Sequence, residues 1–590
     1  MADTPPSTSP ETLQDRSPSR PVFSWRRFIP SPWTLLALCI SAVVALPVAV
    51  VLYSITQDSG DEWAFLAEFR LRNYLTNTAY LALGVCTASA IIGTTTAWLI
   101  TTCDFPGRRI LSWALILPLA VPAYLAAYAY TDLLQFSGPI QTWLRERYGW
   151  GRRDYWFPDL RTVGGAIFIL TATTYPYVYL AARTAFLEQS ACTLEVARTL
   201  GRGPLHAFTS VALPLARPSI AAGTTLVLME TLADFGAADH CAVDTLATGI
   251  YHTWHLISPD NLTAPRIAAA QLAALLLGIV ALAVTVEALA RRRAKHHQLT
   301  TRFQALRRQR LGLFTAPLAF LVCIIPVVAG FAIPVCIFAH MAYTTTEERA
   351  LEIAIDHGSN SLKLAAIAAI ICVTLAVLIA YAHRLAKGPL TAFAARFASL
   401  GYALPGTVLG VALLIPLTFL DHRLNDLTHA LFNTKPGLIL TGTVFAVLLG
   451  YQTRFLGVAL ALLQSSFQRV RPSLDDAART LGSGRTKTVL RVHLPMLRAS
   501  VLAAGLLVFV DVVKELPATL MLRPFNFETL AVRTYQMASD ERLELASYSA
   551  LCIIALGLLP VLLLATLLAP KARRSRRILR GSRDTLTAPQ

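Results

Sequence analysis

Long apolar segments are the feature that most restricts how this chain can fold. About twelve of them occur, at roughly 33–54, 77–101, 110–130, 164–186, 217–233, 266–289, 313–338, 362–383, 398–420, 437–460, 499–514 and 547–569. A bilayer core about 30 Å thick is crossed by about 20 helical residues, and lipid cannot satisfy backbone polar groups. The sequence therefore predicts an all-α membrane protein with about twelve transmembrane helices.

Two of these segments contain prolines that should interrupt a helix. The third segment holds Pro118 and Pro122, and the ninth holds Pro405 followed by Gly406. Proline removes a backbone donor and clashes with the preceding turn, so we expect kinks or broken helices at both places.

A duplicated polar stretch divides the chain into two related halves. E-V-A-R-T-L-G-R-G from Glu195 and D-A-A-R-T-L-G-S-G from Asp476 are each followed by a Leu-Pro pair, ending at Pro214 and Pro495. The copies keep one spacing of 281 residues, and ten of the 24 positions from 195 to 218 are identical in the second copy. Each copy follows the fourth apolar segment of its half. We therefore expect two pseudo-symmetric six-helix halves in parallel orientation.

The positive charge indicates how the chain is oriented. The formal net charge is +17, and basic residues cluster in 290–310 and in the tail. Nucleic-acid binding would be one explanation, but basic clusters beside apolar segments are typical of cytoplasmic loops. Loop 131–163 opposes this orientation with five arginines, whereas loop 234–265 supports it with four aspartates and no Lys or Arg. We predict a multi-pass inner-membrane protein with both termini and both repeated loops in the cytoplasm.

The predicted organisation has five parts. Residues 1–30 are a polar, Ser/Pro-rich N-terminus that we expect to be disordered and cytoplasmic, because such a composition buries little apolar surface. Residues 31–290 form the first half, with its repeated loop near 193–216. A basic cytoplasmic linker, 291–312, leads to the second half, 313–570, whose loop lies near 474–497. Residues 571–590 are a basic cytoplasmic tail.

Each repeated loop has the pattern of a short surface helix. In the second copy Leu474, Ala477, Ala478 and Leu481 recur at helical spacing, and Ser473 with Asp476 fits a capping box. Glycine then stands where the helix should end, in both copies (Gly201 and Gly482), because a left-handed cap favours glycine. The small, alanine-rich face of this short helix suits packing into a protein groove better than lying on lipid.

This pattern resembles the EAA loop of permease subunits in bacterial ABC importers. Glu195-Val196-Ala197, Gly201 and Leu213-Pro214 match it in the first copy; Asp476-Ala477-Ala478, Gly482 and Leu494-Pro495 match it in the second. Val196 and Asp476 depart from the family pattern, as do Val211 and Val492. The resemblance implies a type I ABC importer permease fold. It also implies that these loops are coupling helices that dock on ATP-binding subunits, a role carried by Glu195, Ala197, Arg198, Gly201, Pro214, Asp476, Ala477, Ala478, Arg479, Gly482 and Pro495.

The chain has no phosphate-binding loop of the form G-x-x-x-x-G-K-[ST]. We therefore expect no cofactor on this chain, with ATP and Mg bound by two separate ATP-binding cassette subunits on the cytoplasmic side. The chain would be a transport subunit and not an enzyme. Its other predicted partners are a periplasmic substrate-binding protein and the lipid bilayer, with no nucleic acid.

Four carboxylates lie at or just beyond the fifth and eleventh apolar segments: Glu230, Asp234, Asp511 and Glu515. Carboxylates at membrane depth are costly and often mark an ion path, so we assign them to the translocation pathway. The alternative is a structural role, in which they pair with Lys514 or with helix ends. A second group, Asp239, His240, Cys241, Asp244, Tyr251, His252 and His255, resembles a metal cluster in composition, but docking or loop packing explains it better, and we assign no metal site.

Longer strings resemble the fused ferric-iron permeases, notably M-E-T-L-A-D-F-G-A at 229–237 and K-E-L-P-A-T-L-M-L-R-P-F-N-F-E-T-L-A at 514–531. The resemblance implies that a periplasmic binding protein delivers ferric iron, a cation for which hard oxygen ligands are suited. Two alternatives stay open. The same machinery could carry thiamine, a phosphonate or a polyamine, and an ion-driven secondary transporter would also have duplicated halves and buried carboxylates.

Overall fold

The computed structural model describes residues 31–188, 204–256, 263–293, 308–345, 349–386 and 388–568. Nearly all regular structure in these ranges is helical. The exception is a two-residue parallel ladder in which β1 (Cys103–Asp104) pairs with β2 (Gln309–Arg310). The N-terminal segment, most of the basic linker and the tail lie outside the described residues.

The helices of the first half are α1 (Pro32–Ser54), α2 (Asp61–Phe65), α3 (Leu71–Thr102), α4 (Arg108–Ala114), α5 (Ala123–Leu134), α6 (Pro139–Tyr148), α7 (Val163–Glu188), α8 (Pro204–Ala207), α9 (Leu213–Ala233), α10 (Gly236–His240), α11 (Leu246–Trp254) and α12 (Ala264–Arg293). A 3-10 turn, Leu117–Ala120, joins α4 to α5, and π-helical turns occupy Leu66–Arg70 and Phe208–Ala212.

The helices of the second half are α13 (Thr315–Val327), α14 (Ile333–Thr344), α15 (Arg349–Leu385), α16 (Pro389–Leu400), α17 (Gly406–Phe432), α18 (Val444–Gln468), α19 (Ser473–Thr480), α20 (Arg485–Thr488), α21 (Leu494–Val513), α22 (Pro517–Leu522), α23 (Leu530–Ser539) and α24 (Leu543–Leu568). A 3-10 turn covers Gly401–Ala403, and π-helical turns cover Val328–Ala332 and Val489–His493.

The described residues contain eleven helices that are long and apolar enough to cross a membrane. A bent pair, Arg108–Ala120 with Ala123–Tyr148, meets at 92° and makes a twelfth, broken span. The predicted all-α membrane fold is therefore confirmed. The short fifth and eleventh segments prove to be parts of longer helices, Phe208–Ala233 and Arg485–Val513.

Both predicted proline interruptions are present and have the same geometry. Pro122 precedes α5 with φ −57 and ψ 143, and Pro405 precedes α17 with φ −56 and ψ 144. In each half a 3-10 turn comes just before this proline, and the helix starts anew after it. The ninth predicted segment, 398–420, is accordingly wrong in its bounds, because its helix begins at Gly406 and continues to Phe432.

The Leu-Pro pair of each repeat marks a π-helical turn. Phe208–Ala212 and Val489–His493 lie directly before helices whose second residue is Pro214 or Pro495. Proline supplies no backbone N–H, so the helical ladder must shift there, and a π turn accommodates the shift. The repeated loop thus returns to the membrane through the same local distortion in both halves.

The first helices of the two halves are exchanged. Helix α1 packs against α15, α16 and α17 of the second half, where Ser41 Oγ donates a hydrogen bond to Ala394 O at 2.8 Å. In the reciprocal contact α14 packs against α5 of the first half, and Tyr130 Oη of α5 donates to Ala329 O, in the π turn before α14, at 2.6 Å. Each half therefore completes the packing of the other.

Candidate translocation cavity and coupling surface

A cavity of about 130 Å³ lies where the two halves meet, and all four predicted pathway carboxylates line it. Glu230 and Asp234 come from the end of α9 and the residue after it, and Asp511 and Glu515 come from the corresponding places at α21. The constant spacing of the two repeats explains this convergence, because equivalent residues of pseudo-symmetric halves approach the same axis.

Asp234 and Glu515 also hold short helices in place. Asp234 Oδ1 accepts hydrogen bonds from Ala237 N at 3.0 Å and Ala238 N at 3.2 Å, at the start of α10. Glu515 Oε1 accepts from Ala518 N at 3.2 Å, at the start of α22. A carboxylate satisfies the unpaired amides of a helix N-terminus and interacts favourably with its dipole. Asp234 and Glu515 therefore have the predicted structural role of binding helix ends, in addition to lining the cavity.

The other cavity contacts include two cations. Arg454 Nη1 lies 3.2 Å from Glu515 Oε1, and both side chains are largely buried, at 11% and 6% exposed. Lys514 Nζ lies 2.9 Å from Asp511 Oδ1. Tyr402 Oη donates to Glu230 Oε1 at 3.2 Å, a contact that joins the two halves. Four carboxylates against two cations leave the cavity lining with a formal excess of two negative charges.

The sequence analysis missed Arg454 and the cavity tyrosines, among them Tyr124, Tyr177 and Tyr402. Arg454 stands alone in the apolar helix α18, and an arginine at membrane depth carries the same functional signal as a carboxylate. That signal could have identified it. The tyrosines gave no comparable signal, because their ring is apolar and common in buried helices.

The predicted coupling helix of the second half is present as α19, Ser473–Thr480. Gly482 follows it with φ +72, the left-handed conformation expected of the glycine. Asp476 and Arg479 are exposed on α19 and lie 3.7 Å apart. Pro495 is the second residue of α21. In the first copy Pro214 has the same place in α9, whereas Glu195, Ala197, Arg198 and Gly201 lie outside the described residues.

Two details of the predicted helix are wrong. The residue before α19 is Pro472, and Ser473 begins the helix itself, so the capping box does not form. The apolar residues also divide between two environments. Ala478 is buried and Leu474 packs on the membrane core, whereas Ala477 is exposed and Leu481 is 86% exposed. The helix therefore rests on the membrane domain with one side and presents the other outward.

Polar contacts anchor α19 to the membrane helices. Arg384 of α15 donates from Nε to Asp475 Oδ2 at 2.8 Å and from Nη1 to Phe467 O at 2.6 Å. Asp475 Oδ1 lies 2.6 Å from His493 Nε2, which belongs to the π turn before α21. Asp475 thus joins the helix to two transmembrane elements, and charge-assisted bonds of this kind are about twice as strong as neutral ones. A force on α19 would be passed to α15 and α21.

The residues that resembled a metal cluster are dispersed in small contacts. His252 Nε2 lies 3.0 Å from Asp239 Oδ1, Tyr535 Oη donates to Asp239 Oδ2 at 2.8 Å, and Asp244 faces Arg70 at 3.8 Å. No group of three or more His, Cys, Asp or Glu side chains with metal-binding geometry occurs in the described part of the chain. These residues therefore make packing contacts, of which the Tyr535–Asp239 bond joins the two halves.

Part of the second half matches a known family of membrane proteins. Residues 373–574 match the family described as binding-protein-dependent transport system inner membrane component. Similarity beyond this region covers both halves: an Fe(3+)-transport system permease protein of Haemophilus influenzae is 25% identical over 541 residues, which is 90% of this chain and 97% of that protein. The second half thus matches a permease component of binding-protein-dependent transport systems, and the similarity to the Fe(3+) permease extends over both halves of this chain.

Relatives with other cargoes match shorter stretches. A molybdenum transport system permease protein of Escherichia coli is 33% identical over 142 residues, covering 24% of this chain and 58% of that protein. A sulfate transport system permease protein of Escherichia coli is 26% identical over 249 residues, covering 41% of this chain and 86% of that protein. These matches favour an ABC permease over an ion-driven carrier, and they include permeases named for different cargoes.

Proposed function

We propose that the chain is the membrane-spanning subunit through which ferric iron crosses a bacterial inner membrane. A periplasmic binding protein would deliver the iron, and ATP hydrolysis on two separate ATP-binding cassette subunits would drive its passage. Both termini and both coupling loops would be cytoplasmic. The observation that carries the proposal is the acidic excess of the central cavity: four carboxylates against Arg454 and Lys514.

The charge of the cavity favours a cation over an oxyanion. Sulfate and molybdate are dianions, and a lining with two more negative than positive groups would repel them, whereas carboxylate and phenol oxygens suit a hard trivalent cation. A relative that matches 90% of this chain is named for Fe(3+), which supports the same choice. Oxyanion transport is the second candidate, supported by the shorter molybdenum and sulfate matches.

The cavity is suited to passage and not to retention. Asp234 and Glu515 each use an oxygen on backbone amides, and Arg454 and Lys514 compete with a passing cation for Glu515 and Asp511. A pathway must bind its ion strongly enough to admit it and weakly enough to release it. The carboxylates already have partners within the protein. Each carboxylate would exchange its partner for the ion as the ion arrives and would regain that partner as the ion leaves, which meets both requirements.

Uptake by the complete transporter in proteoliposomes tests the cargo. With the binding protein and ATP present, we expect radiolabelled iron supplied as ferric citrate to accumulate, and an excess of sulfate or molybdate to leave the rate unchanged. Asp511→Asn should lower iron uptake, whereas Asp426→Asn, on an exposed part of α17 outside the cavity lining, should not. Accumulation of sulfate or molybdate without iron would overturn the iron assignment and leave the permease assignment intact.

A further inference from the structure

Three buried hydroxyl groups on α5 have no hydrogen-bond partner among the described residues: Tyr124 Oη, Tyr128 Oη and Thr131 Oγ1. All three side chains are more than nine-tenths buried, with Tyr128 only 1% exposed. Their spacing places them along one face of the helix. Buried polar groups in proteins are nearly always paired, so an unpaired row of them calls for a functional explanation.

This row connects two hollow regions of the protein. Tyr124 lines the central cavity, and Thr131 lines a larger recess of about 890 Å³ toward the C-terminal end of α5. The recess contains residues of both halves, including the acids Asp132, Glu541 and Glu544. Tyr128 lies between, with its ring 5.8 Å from that of Tyr124.

Helix α10 runs between the same two regions beside α5. Its N-terminus is capped by Asp234 of the cavity, and its last residue, His240, lines the recess. His240 Nε2 is buried without a partner in the described structure, and the His240 ring meets Tyr128 edge-on with 4.6 Å between centroids. Burial lowers the pKa of His240 to about 4, so its ring is neutral near pH 7. Two neighbouring helices thus turn unpaired polar atoms toward one seam.

A contact between the halves closes this seam. Asp239 of α10 accepts a hydrogen bond from Tyr535 Oη of α23 at 2.8 Å. The buried Phe235 packs against the rings of Tyr251 and Tyr535, with centroids 4.5 and 5.8 Å away. Because α10 belongs to the first half and α23 to the second, any separation of the halves on this side must break the Asp239–Tyr535 bond.

We propose that the seam that α5 and α10 form with the second half is the outer part of the translocation route, and that the Asp239–Tyr535 bond is the latch that holds it shut. Tyr124, Tyr128, Thr131 and His240 form its wall and gain partners when water and the hydrated cation enter. The recess is the vestibule that receives the cation from outside. This inference rests on the proposed permease function but not on iron being the cation that is carried.

Cysteine accessibility in the assembled transporter, in intact cells, tests the route. Tyr128→Cys and the milder Thr131→Cys should react with a positively charged, membrane-impermeant methanethiosulfonate added from outside. We infer that closure of the two ATP-binding subunits on nucleotide pulls the coupling helices together and opens the route outward. For Tyr128→Cys we therefore expect the rate to rise at least roughly tenfold when the complex is held with vanadate-trapped nucleotide. Ala126→Cys, on the opposite face of α5, should stay unreactive in both states.

The parent chain supplies the baseline for this labelling. It has nine cysteines, and burial raises the pKa of the neighbouring Cys241 to about 12, which keeps that thiol protonated and slow to react. Mass spectrometry of the labelled peptide assigns the reaction to the introduced residue.

Substitution of the latch in the Thr131→Cys protein gives a second measurement. Tyr535→Phe removes the donor to Asp239 and keeps the ring, so the introduced cysteine should be labelled faster without nucleotide. Tyr251→Phe, at the matching position of the first half, is the control and should leave the labelling rate unchanged. Equal reaction of Ala126→Cys and Tyr128→Cys, or no reaction of any α5 cysteine in a complex that hydrolyses ATP, would overturn the proposed route. If the labelling pattern is as expected and no iron enters, the cargo assignment fails and the route stands.

Discussion

Arg454 is the one cavity cation contributed by the middle of a transmembrane helix, and its charge is balanced by Glu515. Arg454→Met fills a similar volume but leaves Glu515 buried without its partner. We expect the variant to lose about 3–5 kcal/mol of stability, the usual cost of breaking a buried ion pair from one side, and to lose transport. Thermal unfolding of the purified complex in detergent measures the first effect, and iron uptake measures the second.

The double variant Arg454→Met/Glu515→Gln separates charge balance from function. Because both ionised groups are removed, most of the lost stability should return, while transport stays low if these groups serve the passing ion. Arg454→Lys is the conservative control and should retain stability. A melting temperature of Arg454→Met equal to that of the parent would contradict the proposed charge balance.

His252 gives the contact between the halves a pH dependence. The hydrogen bond to Asp239 raises the pKa of His252; Asp244 acts in the same direction, while partial burial and Arg70 oppose it. Tyr535 and Tyr251 also face this cluster, through the bond to Asp239 and a ring contact with His252, and Asp239 further interacts with His240 and Asp234. A raised pKa means that folding favours the protonated ring, so its stabilisation is full below the ordinary histidine pKa and is lost as the pH rises through the raised value.

We therefore expect the complex to be more stable at about pH 6 than at about pH 8, and the His252→Gln variant to lose part of this difference. The thermal midpoint measured at both pH values tests this. His255→Gln is the matched control, because His255 pairs with the Tyr251 carbonyl and not with a carboxylate. Identical pH dependence in the parent and His252→Gln would show that another group is responsible.

At the scale of the helix, Asp475 is the anchor of α19 and Asp476 is its exposed neighbour. Asp475→Asn weakens charge-assisted bonds to Arg384 and His493, each worth about 1.5–3 kcal/mol, so α19 should loosen from α15 and α21. We expect less substrate moved per ATP hydrolysed, and a lower thermal midpoint. Asp476→Asn should leave the midpoint unchanged, since its only described ion pair is an exposed one with Arg479. Equal midpoints for both variants would contradict the anchor.

Gly482 ends the same helix, and nothing lies within 4 Å of a Cβ built on it. A bulky side chain there would meet no atom of this chain, but it would strain the left-handed backbone and obstruct a docked ATP-binding subunit. Replacing Gly201 and Gly482 together with leucine should leave ATP hydrolysis active and abolish its coupling to uptake. Gly484→Leu is the control, because Gly484 is equally open but has an ordinary φ of −66. Normal uptake in the double variant would refute the coupling role.

The sequence predicted the symmetric features of the molecule and missed the asymmetric ones. Glu230 with Asp511, and Asp234 with Glu515, could be found because duplication placed them at equivalent positions. Arg454 has no basic counterpart in the first half, since Thr173 occupies the equivalent position, so no repeat signalled it. The exchange of the first helices could not be predicted from the sequence either, because an apolar helix has a similar sequence whichever half it packs against.

At the scale of the whole molecule, this exchange predicts how the halves hold together. Helix α1 buries Ala37, Val44 and Val51, which are spaced seven residues apart, in a core shared with α15–α18. A chain cut within 294–307 and expressed as two polypeptides should therefore associate and retain uptake, because packing and not the linker joins the halves. Copurification and uptake measure this. Removing residues 1–54 from the first polypeptide should abolish the association, since the second half then loses the helix that covers it. Halves that are each stable and soluble in detergent alone, without associating, would show that the exchanged helix is not what binds them.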